Sequence, residues 1–297
     1  MRVLVFGAGG QVGREICRAV WPASFELIPL DRTAADLTKA IVVGAVIARE
    51  RPDLVINLAA YTAVDRAESE PEAAWAVNCA GVANVAAVCG EDGTPLVHLS
   101  TDYVFDGCKS EPYHEEDAVN PLNTYGRSKE AGERAVRAAA PRHIILRTAW
   151  VYGAYGANFV KTMLRLGAER PVLRVVADQL GSPTAAADIA AALIAIARRI
   201  ERGVNDWGTF HFTAAGSTSW HGFAAEIVRL AQELGAWAGG SGPQVEAITT
   251  DQFPTAARRP MNSVLDCRKI EARGIALPPW RSSLPAVVRE LVGAERR

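Results

Sequence analysis

A doubly wound parallel α/β sheet with a smaller, mainly carboxy-terminal α/β unit is the fold class the sequence predicts, and three observations predict it. Short apolar segments alternate with helical patterns, a glycine-rich turn joins the first such segment to the first helix, and the alternation loosens after about residue 150. The apolar segments are RVLVFG (2–7), ELIPLD (26–31), DLVINLAA (53–60), PLVHLSTDYVF (95–105) and HIILRTAWVYG (143–153). Parallel strands joined by crossover helices have this rhythm. Their nearly continuous apolar character marks strands covered on both faces. Between them, AAWAVNCAGVANVAAVCG and KEAGERAVRAAA set small and apolar residues at helical spacing. Further along come VLRVVADQ (172–179), a helical run DIAAALIAIARRI (188–200), FHFTA (210–214) and a helical pattern from Trp220 to Leu234. GAWAGGSGPQ (235–244) reads as a loop, and Pro254, Pro260, Pro278, Pro279 and Pro285 break up the tail. The expected organisation is a nucleotide-binding unit over 1–150, completed by about 171–200, and a substrate-binding unit from 151–170 and 201–297.

A chain of 297 residues can bury a large core, so a small binding module is not expected. With 49% hydrophobic and 22% charged residues and a formal net charge of -1, it has no field to gather nucleic acid, and no nucleic-acid partner is expected. The first strand begins almost at Met1, and no uninterrupted apolar run is long enough to cross a bilayer, so the cytoplasm is expected and a membrane is not. The cysteines Cys17, Cys79, Cys89, Cys108 and Cys267 are scattered without CxxC spacing and read as reduced and structural. The histidines form no HExxH or HxH pair, which argues against a catalytic zinc.

Gly7, Gly10 and Gly13 are spaced GxxGxxG between the first strand and the first helix. In a Rossmann-type sheet the first glycine permits a tight turn, the second lets backbone amides approach a pyrophosphate, and the third lets the helix pack on the strand; the helix amino terminus favours the phosphate charge. Gln11 and Val12, between the last two glycines, belong to the same expected site. Asp31 closes the second strand, where a carboxylate can accept hydrogen bonds from the adenosine ribose of NADH. Arg32 follows, and its guanidinium can pair with the 2′-phosphate of NADPH, so both cofactors stay open. A solvated turn is the plainer reading of this pair. Ala59 and Ala60 at the end of the third strand are small enough for a cofactor to lie across them, and Thr62 is assigned to the same site.

Tyr125 and Lys129 form YxxxK, which on a helix puts both side chains on one face. A neighbouring ammonium that favours phenolate would make the phenol a better proton donor near neutral pH, and lysine can also hold the nicotinamide ribose. The preceding strand ends in LSTDYVF, bringing the hydroxyls of Ser100 and Thr101 to its carboxyl end, where open α/β sheets bind ligands. Thr101 could then orient a substrate carbonyl while Tyr125 supplies the proton. Standing alone, that threonine would read as a turn cap.

The ordered set GAGGQVG, NLAAYTAVDRAESEP, STDYVFDG, YGRSK, RTAWVYG, DQLGSPT and RRPMNS resembles the extended short-chain dehydrogenase/reductases and, within them, the dTDP-4-dehydrorhamnose reductase family. The resemblance runs in order from residue 2 to about 290. STDYVFDG and the Tyr/Lys pair are shared across the superfamily, whereas AYTAVDRAESEP with DQLGSPT is much more specific to this family. The resemblance implies that Thr101, Tyr125 and Lys129 are catalytic, and that NADPH or NADH reduces C4 of dTDP-4-dehydro-L-rhamnose to give dTDP-L-rhamnose. It also places Val64, Tyr103, Trp150 and Asn158 near the sugar or its nucleotide. Arg259 in RRPMNS can grip a sugar diphosphate in two-pronged fashion, with a surface salt bridge as its plainer role.

Some relatives form a homodimer bridged by Mg2+ through acidic side chains. Glu15 stands where one such ligand would lie, but Ala187 stands where a second carboxylate is expected, with Asp188 beside it and Glu290 near the carboxyl terminus. A different nucleotide-sugar reductase or epimerase of the superfamily would keep the three catalytic residues and change the sugar pocket; DQLGSPT and RRPMNS count against it. A non-catalytic regulatory subunit, resembling the partner of methionine adenosyltransferase, would be favoured by loss of those three residues, and here all are present.

Overall fold

The computed structural model describes residues 1–237 and 242–295; part of the expected 235–244 loop, residues 238–241, lies outside the described residues. Five strands of the amino-terminal half, β1 (Arg2–Phe6), β2 (Glu26–Leu30), β3 (Leu54–Asn57), β4 (Leu96–Thr101) and β5 (His143–Thr148), join Gly208–His211 in one parallel sheet. From one edge the order is Gly208–His211, β5, β4, β3, β1, β2. Burial explains the apolar runs. Val3 and Val5 face Ile16, Ile189 and Leu193 on one side, while Leu4 and Phe6 face Val43, Ile47 and Val85 on the other. The chain leaves β1 towards β2 on one side and returns to β3 on the other, so the crevice expected at such a reversal opens at the carboxyl ends of β1 and β3.

Two segments exchange places relative to the sequence expectation. Gly208–His211, assigned to the substrate unit, closes the central sheet by pairing with β5. Val172–Val176, assigned to completing that sheet, pairs instead with Gln244–Ile248 in a separate two-stranded sheet. Phe210 carries the first choice: it is buried in one cluster with Ile144, Leu146 and Ile270. Helix Ala186–Glu201 packs on helix Gln11–Arg18 and stays with the central sheet. The second unit gathers Val172–Val176 and helices Phe159–Glu169, Trp220–Glu233 and Trp280–Glu295 around Tyr152, Val160, Leu164, Phe223, Ile227 and Leu284.

The predicted strands also end earlier than their apolar runs. β4 stops at Thr101, and Asp102–Val104 forms a 3-10 turn whose cap is the Thr101 hydroxyl, accepting from the Tyr103 N–H at 3.2 Å. β5 stops at Thr148; Trp150 then takes a left-handed backbone (φ 48°), and Val151–Tyr152 pairs elsewhere, with Thr184–Ala185. One continuous helical stretch among the described residues, Pro71–Asp92, is long and apolar enough by composition to cross a bilayer, although Glu72, Asn78, Asn84 and Glu91 interrupt its apolar run. Its residues Val82, Val85, Ala86 and Cys89 instead fill the core under β1 and β3. Its middle, Ala76–Gly81, is a π-helical bulge.

Candidate active site

A cleft of about 1550 Å³ runs along the carboxyl ends of the strands and continues between the two units. Its first half is walled by the glycine-rich turn. Gly7 has a φ of 82° and its backbone lies against Ala59, so a side chain there would meet both strain and the Leu58–Ala59 peptide. A Cβ on Gly13 would collide with the Gly7 carbonyl, which is why the helix can start so close to the turn. Gly10 is the N-cap, offering no side chain and using its own N–H on the Gly7 carbonyl at 3.0 Å. The first-turn N–H groups of Gln11, Val12 and Gly13 have no acceptor one turn back, and they border the cleft. Backbone donors, a helix dipole and an absence of side chains fit a dinucleotide pyrophosphate.

Asp31 is less free than its position predicts. Its Oδ1 accepts from the Thr33 hydroxyl at 2.6 Å and from the N–H groups of Thr33 and Ala34 at 2.9 Å, and these bonds, the Thr33 hydroxyl first, hold the carboxyl below the usual range. One carboxylate oxygen therefore builds the turn, which is the plainer reading of that residue. Arg32 is solvated, 3.9 Å from Asp36, and lines the cleft beside it. Ala59, Ala60 and Thr62 line the opposite wall. That wall is fixed by two asparagines that the sequence does not single out: Asn57 accepts from the Ala59 N–H at 3.0 Å, and Asn78, in the π bulge, bonds both the N–H and the carbonyl of Tyr61 and donates to Ser128. π bulges often mark such functional positions.

Tyr125 and Lys129 lie in helix Thr124–Ala139, capped by Asn123, whose side chain accepts from the Gly126 N–H at 2.8 Å. A Cβ on Gly126 would strike the Tyr103 carbonyl; its absence lets the helix approach the end of β4. Thr101, Tyr103, Tyr125 and Lys129 thereby meet in one buried corner of the cleft, with the Tyr103 and Tyr125 rings edge to face at 5.6 Å. The electrostatics differ from the sequence argument. Burial pushes the Tyr125 phenol up to about 12, with the facing Thr101 hydroxyl acting against it and the Asp102 carboxyl adding to it. Lys129 is turned away: its Nζ donates to the Leu99 carbonyl at 2.8 Å and lies 3.4 Å from His98 Nε2. Burial brings its ammonium down to about 8, opposed by Glu133. His98 is itself buried neutral, its Nδ1 facing the Asn57 amide at 3.2 Å. The buried lysine is drawn to a backbone carbonyl, so it does not act here as a charge beside the phenol.

The four residues placed near the sugar by resemblance all border the cleft, as does Arg259, and three of these five are already engaged. Asn158 caps helix Phe159–Glu169 and gives its amide hydrogens to Gln11 Oε1 at 3.0 Å and the Gly153 carbonyl at 2.8 Å. Arg259 forks onto Asp65 at 2.6 and 3.1 Å, the salt bridge that sequence offered as its plainer role. Trp150 stacks face to face on Trp220 at 3.5 Å, and that second indole is another cleft residue without a motif to announce it. Val64 starts the helix Val64–Ser69 and faces the same space, together with Gln179 and the exposed Phe253. Within one chain, among the described residues, Glu15 stands beside charged neighbours and no second carboxylate ligand set. Its carboxyl is raised by partial burial, with Arg18 and Glu290 nearby, while Asp188 is occupied by the Ser283 hydroxyl at 2.8 and 2.9 Å. Among the described residues no group of three His, Cys, Asp or Glu side chains could hold a metal ion.

Compared with known proteins, the chain matches the family model described as RmlD substrate binding domain over residues 1–292. It is 45% identical over 297 residues to a protein of Sinorhizobium fredii named dTDP-4-dehydrorhamnose reductase, covering 98% of each chain. The crystal structure of a dTDP-4-dehydrorhamnose reductase from Clostridium acetobutylicum superposes with a TM-score of 0.89 at 40% identity, covering 98% of this chain and 99% of that one. The structure of a dTDP-4-dehydrorhamnose reductase from Bacillus anthracis in complex with NADP gives 0.88 at 38% identity, covering 97% and 99%.

Proposed function

This chain belongs to the RmlD substrate binding domain family, and from that premise we propose that it is a nicotinamide-dependent dTDP-4-dehydrorhamnose reductase, taking dTDP-4-dehydro-L-rhamnose to dTDP-L-rhamnose. The observation that carries the reading is the placing of Thr101, Tyr125 and Lys129 in one cleft with the glycine-rich turn. A dihydronicotinamide held along the glycine-rich turn would supply the hydride for C4. Thr101 orients the C4 carbonyl through its hydroxyl, and the Tyr125 phenol gives its proton to the oxygen as charge develops there. A phenol pushed up to about 12 keeps its proton at neutral pH, so the proton is in place, while the facing Thr101 hydroxyl is the contact that favours its release. The phenolate left behind regains a proton from solvent. Lys129, anchored on the Leu99 carbonyl, would hold the ribose hydroxyls of the cofactor at this corner.

NADPH is the cofactor we favour. Arg32 is solvated and only loosely paired, so its fork is free for a 2′-phosphate, while Asp31 spends one oxygen on its own turn. Arg259 and Asp65 would open towards the sugar diphosphate, with Val64, Tyr103, Trp150 and Asn158 around the sugar and its nucleotide. The test follows oxidation of NADPH and of NADH by the purified protein with dTDP-4-dehydro-L-rhamnose. Turnover that Tyr125→Phe abolishes is expected, and Arg32→Ala should raise KM for NADPH alone. No turnover with either cofactor would sink the proposal.

A further inference from the structure

We propose that Asp102 is a positioning residue for this reduction, its carboxyl proton deciding whether the Thr101 hydroxyl hydrogen points at Asp102 or into the cleft. The inference rests on the reductase reading above and names a further residue for it. Thr101 Oγ1 has one hydrogen and lies 2.9 Å from Asp102 Oδ1, while the Tyr103 N–H already donates to it at 3.2 Å. A carboxylate only accepts, so an ionised Asp102 takes the Thr101 hydrogen and leaves the hydroxyl with none for a substrate carbonyl. With its proton on Oδ1, Asp102 donates to Thr101 Oγ1 instead, and the threonine hydrogen is released towards Tyr125 and the cleft.

The surroundings favour the protonated form. Asp102 is 2% exposed, borders the cleft, and has an Oδ2 with no hydrogen-bond partner. The Ser263 hydroxyl that faces it lies 3.2 Å from the Leu180 carbonyl, to which it donates, and where it turns to Asp102 instead it works against the shift without reversing it. The groups around it carry no free positive charge. Tyr125 faces it from helix Thr124–Ala139, Tyr103 lies on its own turn, Arg259 beyond Tyr103 is forked onto Asp65, and Lys129 is bonded to Leu99. Hydrogen bonds from Ser263, Thr101 and the Asp102 and Tyr103 N–H groups favour the ionised form, but desolvation of a buried carboxylate without a counter-charge outweighs them. Burial accordingly pushes Asp102 up to about 7.

The group is raised, so the competent form is present below that value and is lost as pH rises through it. Two measurements on the full-length protein test the switch. In the ligand-free protein, infrared difference spectra should show a protonated carboxyl band that disappears near neutral pH and is missing in Asp102→Asn. In turnover, kcat should fall about tenfold per pH unit above the same midpoint while KM changes little. Asp102→Asn, whose amide always donates to Thr101, should give a flat profile, and Thr101→Val should give a flat profile at a lower rate. A kcat limb that persists in Asp102→Asn, or a carboxyl ionised throughout the range from about pH 5 to 9, would overturn the proposal. The spectra need no sugar, so they uphold or overturn the protonation of Asp102 even if the substrate assignment fails.

Discussion

Two polar clusters meet at the end of β4, and neighbouring residues belong to different ones. Ser100 gives its hydrogen to Glu133 at 2.6 Å, and Glu133 is held in turn by Arg147 at 2.7 and 2.9 Å and by Arg137 at 3.0 Å. Every oxygen of that fully buried carboxylate is satisfied, and although burial alone would raise it, these partners bring it below the usual range. Thr101, the next residue, faces Asp102, whose carboxyl has an empty oxygen and no cation. A closed network fixes the helix Thr124–Ala139 on the sheet, and an open one keeps unspent hydrogen-bonding capacity for a ligand. The difference predicts that one cluster governs stability and the other governs turnover.

The strongest way to break that division is Tyr125→Phe. It should cost about 10²–10⁴-fold in kcat with little change in the urea midpoint. A large loss of stability would place Tyr125 with the closed cluster. Next comes Arg147→Ala, which leaves Glu133 and Ser100 buried without their main counter-charge. Loss of one partner of a buried pair costs about 3–5 kcal/mol, to be read from denaturant unfolding.

The two clusters should also respond to pH with opposite sign. His211, pressed down to about 3 by burial and then by Arg147, stays neutral in the fold while the unfolded chain takes up a proton near 6.5. Its contribution to stability is therefore present above about 6.5 and lost as pH falls towards 3, and Glu133 adds to that loss below the ordinary carboxylate range. Asp102 is raised, so its contribution is present below about 3.9 and lost as pH climbs to about 7. Asp102→Asn should gain on the order of 2 kcal/mol over the wild type at pH 8, and the gain should vanish near pH 4. Unfolding measured at both pH values separates these contributions.

Much of the division was legible in the chain, and the remainder depended on tertiary burial. Apolar runs announce β1 to β5, the glycine spacing announces the turn, and YxxxK announces a tyrosine and lysine on one helix face. The string STDYVFDG does not show that its strand stops at Thr101, because that follows from the cap given by the threonine itself. Nor can it show that Asp102 is buried without a counter-ion, or that Lys129 turns to Leu99. The pairing of Val172–Val176 with Gln244–Ile248 is likewise decided by contacts between distant segments, which weigh more than local β preference. Gly208–His211 is illegible for the same reason: four residues complete a sheet whose other strands ended sixty positions earlier at Thr148.

The finest test separates the adjacent hydroxyls. Ser100→Ala removes one bond to an ionised acceptor but leaves Glu133 with Arg147 and Arg137, so the expected loss lies at the low end for a charged hydrogen bond, about 1.5 kcal/mol. The rate should hardly change, since the Ser100 hydrogen already points at Glu133 and is unavailable to a ligand. Thr101→Val should differ in the rate, lowering kcat because its oxygen is the one tied to Asp102 beside Tyr125, while its loss of stability is that of the cap on the Tyr103 N–H, about 1 kcal/mol. Urea midpoints and kcat for the two variants read that difference. If both variants lose stability equally and neither loses rate, the end of β4 is a single structural cluster, and the open network has no catalytic meaning.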